Sequence, residues 1–234
     1  MARKSRIIIV GSGIVGASTA YHLAQLGWKD MVILDQGPLF ETGGSTSHAP
    51  GGVFQTNPSR MMCKFAQYTV DLLRSLSFEG KPCFHTVGGI EVSKTKERHQ
   101  DLYRKLGIAH SYGLTDAKII TPDEVLKMSP YIDPEKIHGG YYVPTDGLAA
   151  PVRAVRAMAK YVTDLKAGEF FGDTAVNGFK IQNNQIRGVQ TSKGDYEADI
   201  VLVSTGIWAP KMGRLANISF CLLYTSPSPR DQLQ

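Results

Sequence analysis

Gly11-Ser12-Gly13-Ile14-Val15-Gly16 follows directly on the apolar run Arg6-Ile7-Ile8-Ile9-Val10. A G-x-G-x-x-G spacing carries chemical meaning when a strand precedes it and a helix follows. Here the apolar run reads as a strand and residues 17–27 as a helix. A second strand-like run, Met31-Val32-Ile33-Leu34, ends in Asp35, nineteen residues after Gly16. This is the βαβ dinucleotide fingerprint, and each part has its own physical task. Gly11 permits a tight turn, and Gly13 lets the backbone approach a diphosphate with no Cβ in the way. Gly16, with the small Ala20, lets the helix lie close on the strand. Ile14 and Val15 stand at the helix entry, where free N–H groups and the positive dipole end favour phosphate. Asp35 is suited to accept from a ribose hydroxyl, with Gln36 beside it. The competing reading is a glycine-rich turn of an ordinary α/β protein.

A second chemistry-bearing stretch follows. Residues 36–56 are rich in Gly, Ser and Thr and include Gly43-Gly44-Ser45-Thr46-Ser47-His48-Ala49-Pro50-Gly51-Gly52. Loops this long inside a compact domain usually serve function. A neutral His48 imidazole is nucleophilic near pH 7; alternatively it is a polar loop histidine bonded to a phosphate or to backbone. Ser45, Thr46 and Ser47 supply hydroxyl donors, or simply keep the loop solvated. His85, His99, His110 and His138 show no metal-ligand spacing, so no metal site is predicted. His22 reads as a surface or packing residue of the first helix. No Ser/His/Asp or Cys/His set stands in a recognisable arrangement, and no catalytic residue is identified.

The elements that must hold these residues follow from periodicity and turn chemistry. Asn57 and Pro58 suit the cap and first turn of a helix with Met62, Phe65, Tyr68 or Thr69, Leu72 and Leu76 on its apolar face. Cys63 falls on the apolar side of that helix. A strand over 84–93 is interrupted at Gly88-Gly89, and a charged helix covers 96–106. Thr121-Pro122-Asp123-Glu124 is a capping-box pattern, and 137–144 is a strand. Pro151 opens a helix through 165 with Val155, Met158, Ala159 and Val162 on one side. Strands over 170–181, 185–191 and 196–203 are separated by Asn183-Asn184 and Lys193-Gly194-Asp195. A parallel dinucleotide half mixed with antiparallel hairpins predicts two interleaved domains.

Composition narrows the classes further. The 234 residues are 42% hydrophobic and 20% charged, an ordinary globular balance. Arg3, Lys4 and Arg6 supply three of the positive charges behind the net +5. The other basic residues are interleaved with acids, so no nucleic-acid surface is predicted. No apolar run of about 18 residues is present, so no membrane span is predicted. The first strand begins within a few residues, which leaves no room for a leader. The cysteines (Cys63, Cys83 and Cys221) are odd in number and lack metal spacing, pointing to reduced thiols in a cytosol-like compartment. Two Ser-Pro pairs beyond Phe220 exclude helix and central strand. Residues 221–234 read as a non-native tail resembling translated adaptor sequence, or else as a flexible one.

Several segments together resemble one family. The 11–16 fingerprint with Asp35-Gln36-Gly37-Pro38, the 44–51 loop, Val87-Gly88-Gly89-Ile90, Gly139-Gly140, Pro144-Thr145-Asp146-Gly147 and Thr205-Gly206-Ile207-Trp208-Ala209-Pro210 carry the likeness. They resemble the dimethylglycine oxidase, dimethylglycine dehydrogenase and sarcosine dehydrogenase group of the D-amino-acid-oxidase-like FAD enzymes, over about residues 5–220. The resemblance implies an α/β fold: a Rossmann-type, glutathione-reductase-like FAD-binding domain interleaved with a mostly antiparallel α+β substrate domain. The FAD-binding segments are expected at about 5–80 and 150–210, and the substrate segment at about 81–149.

The same resemblance implies oxidation of the C–N bond of an N-methylated glycine, with a hydride equivalent passing to the flavin and an iminium ion left behind. It implies a covalent bond from His48 to the 8α carbon of the flavin, and cofactor contacts from Ser45, Thr46, Ser47 and Gly52. Val176 matches the position that meets the adenine through its backbone, and Thr205-Gly206 matches a second dinucleotide-contact turn. Trp208 walls the flavin site or fills the core. The electron acceptor is oxygen or an electron-transfer flavoprotein. In full-length relatives a tetrahydrofolate domain follows, and the substrate-side acid/base residues are expected beyond residue 220. The chain alone is then expected to be inactive and unstable. A cytoplasmic location is expected, or the mitochondrial matrix in a eukaryote. The rival readings are a nicotinamide-dependent dehydrogenase, another FAD-dependent amino-acid oxidase, or a non-catalytic flavin-binding assembly or tRNA-modification factor.

Overall fold

The computed structural model describes residues 3–41 and 43–219; the expected foreign tail at 221–234 lies outside the described residues. The chain opens with β1 (Arg3–Val10), α1 (Ile14–Gln25), β2 (Met31–Leu34), a one-turn α2 (Ser45–His48), β3 (Gly52–Val53) and α3 (Arg60–Ser75). It continues through β4 (Ser77–Phe78), β5 (Lys81–Pro82), β6 (Phe84–His85), β7 (Gly89–Ser93), α4 (Lys96–Ser111), β8 (Lys118–Ile120), α5 (Pro122–Met128), β9 (Gly139–Val143) and β10 (Gly147–Ala149). Then come α6 (Pro151–Asp164), β11 (Gly168–Phe171), β12 (Val176–Gln182), β13 (Gln185–Thr191), β14 (Gly194–Val203) and α7 (Ala209–Leu215). Two compact units result: one formed by the chain up to Ala49 and from Val155 onward, the other by Pro50–Ala154.

The first unit is built on a six-stranded sheet in the order β11-β2-β1-β14-β13-β12. Its pairings from β11 through β14 are parallel, and β14, β13 and β12 run antiparallel. Parallel strands covered on both faces read as continuous apolar runs, which is why Ile7–Val10 and Met31–Leu34 carry no alternation. All eight of those residues are buried. Burying each such side chain contributes about 1.5–3 kcal/mol. In α1 the buried residues are Gly16, Ala17, Ala20, Tyr21 and Ala24. In α6, Val155, Met158, Ala159 and Val162 are buried, the side that the sequence pattern picks out.

Two expectations are corrected in this unit. The first helix begins at Ile14, earlier than residue 17, because the chain turns helical directly after Gly13. The single strand expected over 170–181 is two strands at opposite edges of the sheet. The chain breaks after Phe171, with Asp173 at a positive φ of 51°. There the Asp173 N–H donates to the Gly37 carbonyl (2.8 Å) and the Thr174 N–H to the Asp35 carbonyl (2.7 Å). Those contacts are non-local, so strand propensity alone does not reveal the break. The Asn183-Asn184 turn is present, with both residues at positive φ, as a two-residue hairpin of primed type requires.

The second unit holds an antiparallel sheet β7-β9-β8 and a smaller one, β3-β10-β6. Leu102, Ala109, Leu114, Ala117, Tyr141 and Val143 form one core cluster, and Ile120, Val125 and Ile137 another. The capping box forms as its pattern predicts: the Thr121 hydroxyl accepts from the Glu124 N–H, and the Glu124 carboxylate accepts from the Thr121 N–H at 2.7 Å. The α3 expectations need correction. Ser59, not Asn57, is the cap residue, while the Asn57 Oδ1 accepts from the Ser59 N–H at 3.0 Å and turns the chain into the helix. The buried face of α3 carries Cys63, Val70 and Leu73, whereas Met62, Phe65 and Tyr68 are exposed at 52%, 58% and 52%. The helix is apolar on more than one side, and periodicity does not say which side packs.

In this unit a buried carboxylate ties down the segment after β3. Asp146 Oδ1 accepts from both the backbone N–H and the side-chain amide of Gln55, each at 3.0 Å. The same amide reaches Thr145 Oγ1 at 2.9 Å, and the Thr56 hydroxyl lies 2.7 Å from that of Tyr141. Burial pushes the Asp146 carboxyl above the usual carboxylate range, against the opposing pull of the Gln55 donors. Among the described residues no helix is long and apolar enough to cross a membrane. Cys63 and Cys83 are buried free thiols.

Candidate functional site

The carboxyl ends of β1, β2 and β14 meet around the Gly11–Gly16 turn. Gly11 adopts φ +106° and donates its N–H to the Leu34 carbonyl at 2.7 Å. A Cβ on Gly11 would stand 2.5 Å from the Ser204 carbonyl oxygen, and one on Gly16 would stand 1.9 Å from the Gly11 oxygen. Neither position admits a side chain, so the turn and the first round of α1 lie against β14. The Ser204 hydroxyl closes the arrangement through the carbonyl oxygens of Val10 (3.0 Å) and Gly11 (3.1 Å).

The acid at the end of β2 is held from inside the turn. Ser12 is buried, and both its N–H (2.7 Å) and its hydroxyl (2.6 Å) donate to Asp35 Oδ2. The Gly37 N–H stands 3.5 Å from Oδ1, so that oxygen keeps acceptor capacity for an incoming hydroxyl. Ser12 is missed by the sequence argument because it occupies a variable position of the motif. Its signal is its place between two glycines, facing an acidic residue at the end of the next strand.

The one-turn helix α2 reaches the mouth of α1. No side chain of the N-cap residue Gly13 is available, and the Ile14 N–H donates instead to Thr46 Oγ1 at 3.0 Å. A Cβ on Gly13 would approach that same oxygen to 3.2 Å. The first N–H groups of a helix have no intrahelical partners, and Thr46 supplies one for the Ile14 N–H. Ser47 donates to the Gly44 carbonyl at 2.9 Å. His48 is exposed, with Nδ1 3.1 Å from the Gly44 carbonyl and 3.1 Å from Ser47 Oγ. A carbonyl only accepts, so Nδ1 carries the proton in the neutral ring and Nε2 keeps its lone pair.

The remaining sequence candidates distribute as follows. Ser45 and Gln36 are exposed, Val15 is exposed beside Gly16, and Val176 is buried as the first residue of β12, opposite Thr191. Gly206 adopts φ +52° just beyond β14. Thr205 precedes it, and its Oγ1 is a buried side-chain oxygen without a hydrogen-bond partner. Gly52 belongs to the second unit, paired with Leu148. Trp208 is half-buried in a 3-10 turn spanning Gly206–Trp208. Among the described residues no three His, Cys, Asp or Glu side chains gather to hold a metal ion.

Chemically, the strand ends offer a helix N-terminus for a diphosphate, a carboxylate with a free lone pair for a ribose, and an unused buried hydroxyl. An open α/β sheet binds ligands outside the carboxyl ends of its strands, and the residues present fit a dinucleotide. The comparisons agree. The family model described as "FAD dependent oxidoreductase" matches residues 6–226. A mouse protein named pyruvate dehydrogenase phosphatase regulatory subunit, mitochondrial, is 29% identical over 90% of this chain and 24% of its own length. Rat dimethylglycine dehydrogenase, mitochondrial, is 29% identical over 94% of this chain and 25% of its own length. The crystal structure of L-proline dehydrogenase from P. horikoshii superposes with a TM-score of 0.84 at 27% identity, over 95% of this chain and 58% of that one. The chain thus spans about a quarter of the length of these curated relatives.

Proposed function

From the premise that the chain belongs to the FAD-dependent oxidoreductase family, we propose that the whole protein oxidises the C–N bond of an N-methylated glycine, dimethylglycine or sarcosine. The name of the rat relative supports this substrate class. The observation that carries the reading is the hydrogen bond from Ile14 N–H to Thr46 Oγ1, which brings the Ser45–His48 turn to the mouth of the dinucleotide helix. We assign cofactor holding to the turn at 11–16, Asp35 and Gln36, the 45–48 turn with Gly52, Val176, and Thr205-Gly206. Segments 5–80 and 150–210 form the FAD-binding part, and 81–149 belongs to the substrate side.

Each residue has a task of its own in this reading. The N-terminus of α1 faces the diphosphate. Asp35 Oδ1 accepts from a ribose hydroxyl, while Ser12 fixes the carboxylate through the other oxygen. The backbone of Val176 meets the adenine. His48 provides the covalent tether at the 8α carbon, and the Gly44 carbonyl orients its ring so that Nε2 is the free nitrogen. When bound, FAD supplies the two-electron acceptor for C–N oxidation. Oxygen or an electron-transfer flavoprotein takes the electrons onward, and a folate domain elsewhere in the whole protein captures the one-carbon unit. The mitochondrial names of the relatives support a matrix location in a eukaryote, and a cytoplasmic one otherwise.

The test has two parts. Acid-precipitated holoprotein should stay yellow, and His48→Ala should release the flavin; complete loss from the unmutated protein removes the tether. Anaerobic bleaching of the full-length holoprotein by a panel of N-methyl glycines identifies the substrate. One relative is named a regulatory subunit, which favours a second reading: a flavin-binding factor without this chemistry. That reading calls for tight FAD binding and no bleaching by any amine in the panel.

A further inference from the structure

Of the asparagines in the chain, Asn177 alone precedes a glycine; the others precede Pro58, Asn184, Gln185 and Ile218. Asn177-Gly178 lies at the start of β12, an edge strand of the six-stranded sheet. Val176 pairs with Thr191 and Gly178 with Gln190, so the register slips there and Asn177 faces no partner on β13. An extra residue of this kind bends its strand and leaves the regular ladder. Asn177 is exposed, although Val176 before it is buried. Among the described residues no hydrogen bond holds the Asn177 side-chain amide. Asn57 offers the contrast. Its Oδ1 is bonded to the Ser59 N–H at 3.0 Å, and the nitrogen that follows it belongs to proline, which has no proton to lose.

We infer that Asn177 is a site of spontaneous deamidation in the folded protein. The Gly178 main-chain nitrogen gives up its proton to solvent base and bonds to the Asn177 side-chain carbonyl carbon. The bond from that carbon to Nδ2 breaks, and Nδ2 leaves as ammonia. Water then opens the cyclic imide at either of its carbonyl carbons, giving aspartate or its isoaspartyl isomer; nothing is oxidised or reduced. Gly178 suits the attack because it has no Cβ to crowd the approaching carbonyl. In a regular strand the ladder holds the main chain extended, away from ring closure, and the slipped register removes that hold at Asn177. Either product places a new negative charge on the exposed sheet edge. The chemistry needs no cofactor and stands apart from the FAD reading.

The experiment keeps the full-length protein in mildly alkaline buffer and follows its peptides by mass spectrometry, with an isoaspartyl methyl-acceptor assay alongside. The parent is compared with Gly178→Ala, with Asn177→Gln and with the urea-unfolded chain. A Cβ on Gly178 would come closest to Gln190 Oε1, at 2.7 Å, the far end of a flexible side chain, so the alanine variant should fold. In the folded parent, the peptide containing Asn177 should gain the mass of an amide-to-acid change ahead of those containing Asn57, Asn183 and Asn217. Gly178→Ala should slow this conversion by about tenfold, and Asn177→Gln should lose it together with the methyl-acceptor signal. An unchanged Asn177 in the folded parent, with conversion in the unfolded chain, overturns the inference. An equal rate in Gly178→Ala overturns it as well. Should the alanine variant not fold, the Asn177→Gln comparison decides: a methyl-acceptor signal equal to the parent's places the reaction elsewhere and overturns the site.

Discussion

Ser12 holds Asp35 with two donors on one oxygen: its N–H at 2.7 Å and its hydroxyl at 2.6 Å both reach Oδ2. The two residues are buried, so the carboxylate depends on these donors in place of water. Ser12→Ala removes the hydroxyl but keeps the N–H. Hydrogen bonds to charged groups contribute about 1.5–3 kcal/mol, and the variant should lose stability in that range. Urea unfolding at neutral pH measures it. On the proposed assignment of Asp35 to the ribose, FAD affinity should fall in the same variant, because one of the two donors that fix the carboxylate is lost.

Gly16 and Gly27 separate steric need from backbone need. A Cβ on Gly16 would stand 1.9 Å from the Gly11 oxygen, whereas Gly27, at φ +83°, has open space around it. Gly16→Ala should cost about 3 kcal/mol or more, since backbone must move. Gly27→Ala should cost only about 1–2 kcal/mol of left-handed strain. Equal shifts of the urea midpoint would contradict the close helix–turn contact.

Asp146 reverses the usual pH behaviour of a carboxylate. Burial raises its pKa in the folded state, opposed by the Gln55 donors and Lys105 and reinforced by Asp116. The folded protein therefore holds this proton more tightly than the unfolded chain. The associated stability is fully present below the unfolded value of about 3.9 and is lost as pH rises through the higher folded one. Asp146→Asn should flatten that loss, so its Tm should gain on the unmutated protein between pH 4 and pH 7. Asp146→Ala should instead cost about 1–3 kcal/mol at every pH, because the Gln55 backbone N–H loses its acceptor and its side-chain amide keeps only Thr145. Thermal melts across that pH range distinguish the two.

The Asn183-Asn184 hairpin invites a stabilising change. Asn184 sits at φ +60°, a conformation that glycine adopts freely. Asn184→Gly should raise stability by about 0.5 kcal/mol, as Asn-Gly is the preferred pair for this turn type. A lowered melting temperature would argue against the turn geometry.

Much of the first unit was legible because its signals are local and of fixed spacing. The Ile7–Val10 and Met31–Leu34 runs, the glycine turn and the α6 stripe at Val155, Met158, Ala159 and Val162 all follow from period or motif. What escaped depends on distant partners. Ser12 matters because Asp35 lies beside it, and the strand break after Phe171 is set by hydrogen bonds to Asp35 and Gly37. For α3, both Met62-Phe65 and Cys63-Val70 lie on apolar stripes, and only the packed fold selects the second. The one-turn α2 escaped for another reason: four residues are too few for a periodic signal.

The pairing of β1 with β14 places residues 3–10 against residues 196–203. On a ribosome adding about 5–20 residues per second, the first strand waits roughly ten to forty seconds for its partner to emerge. Throughout that interval its apolar faces lack one neighbour, and the glycine turn lacks the wall that Ser204 provides. Assembly of the first unit is therefore a late event in synthesis, and its nascent edge is where chaperone dependence should concentrate.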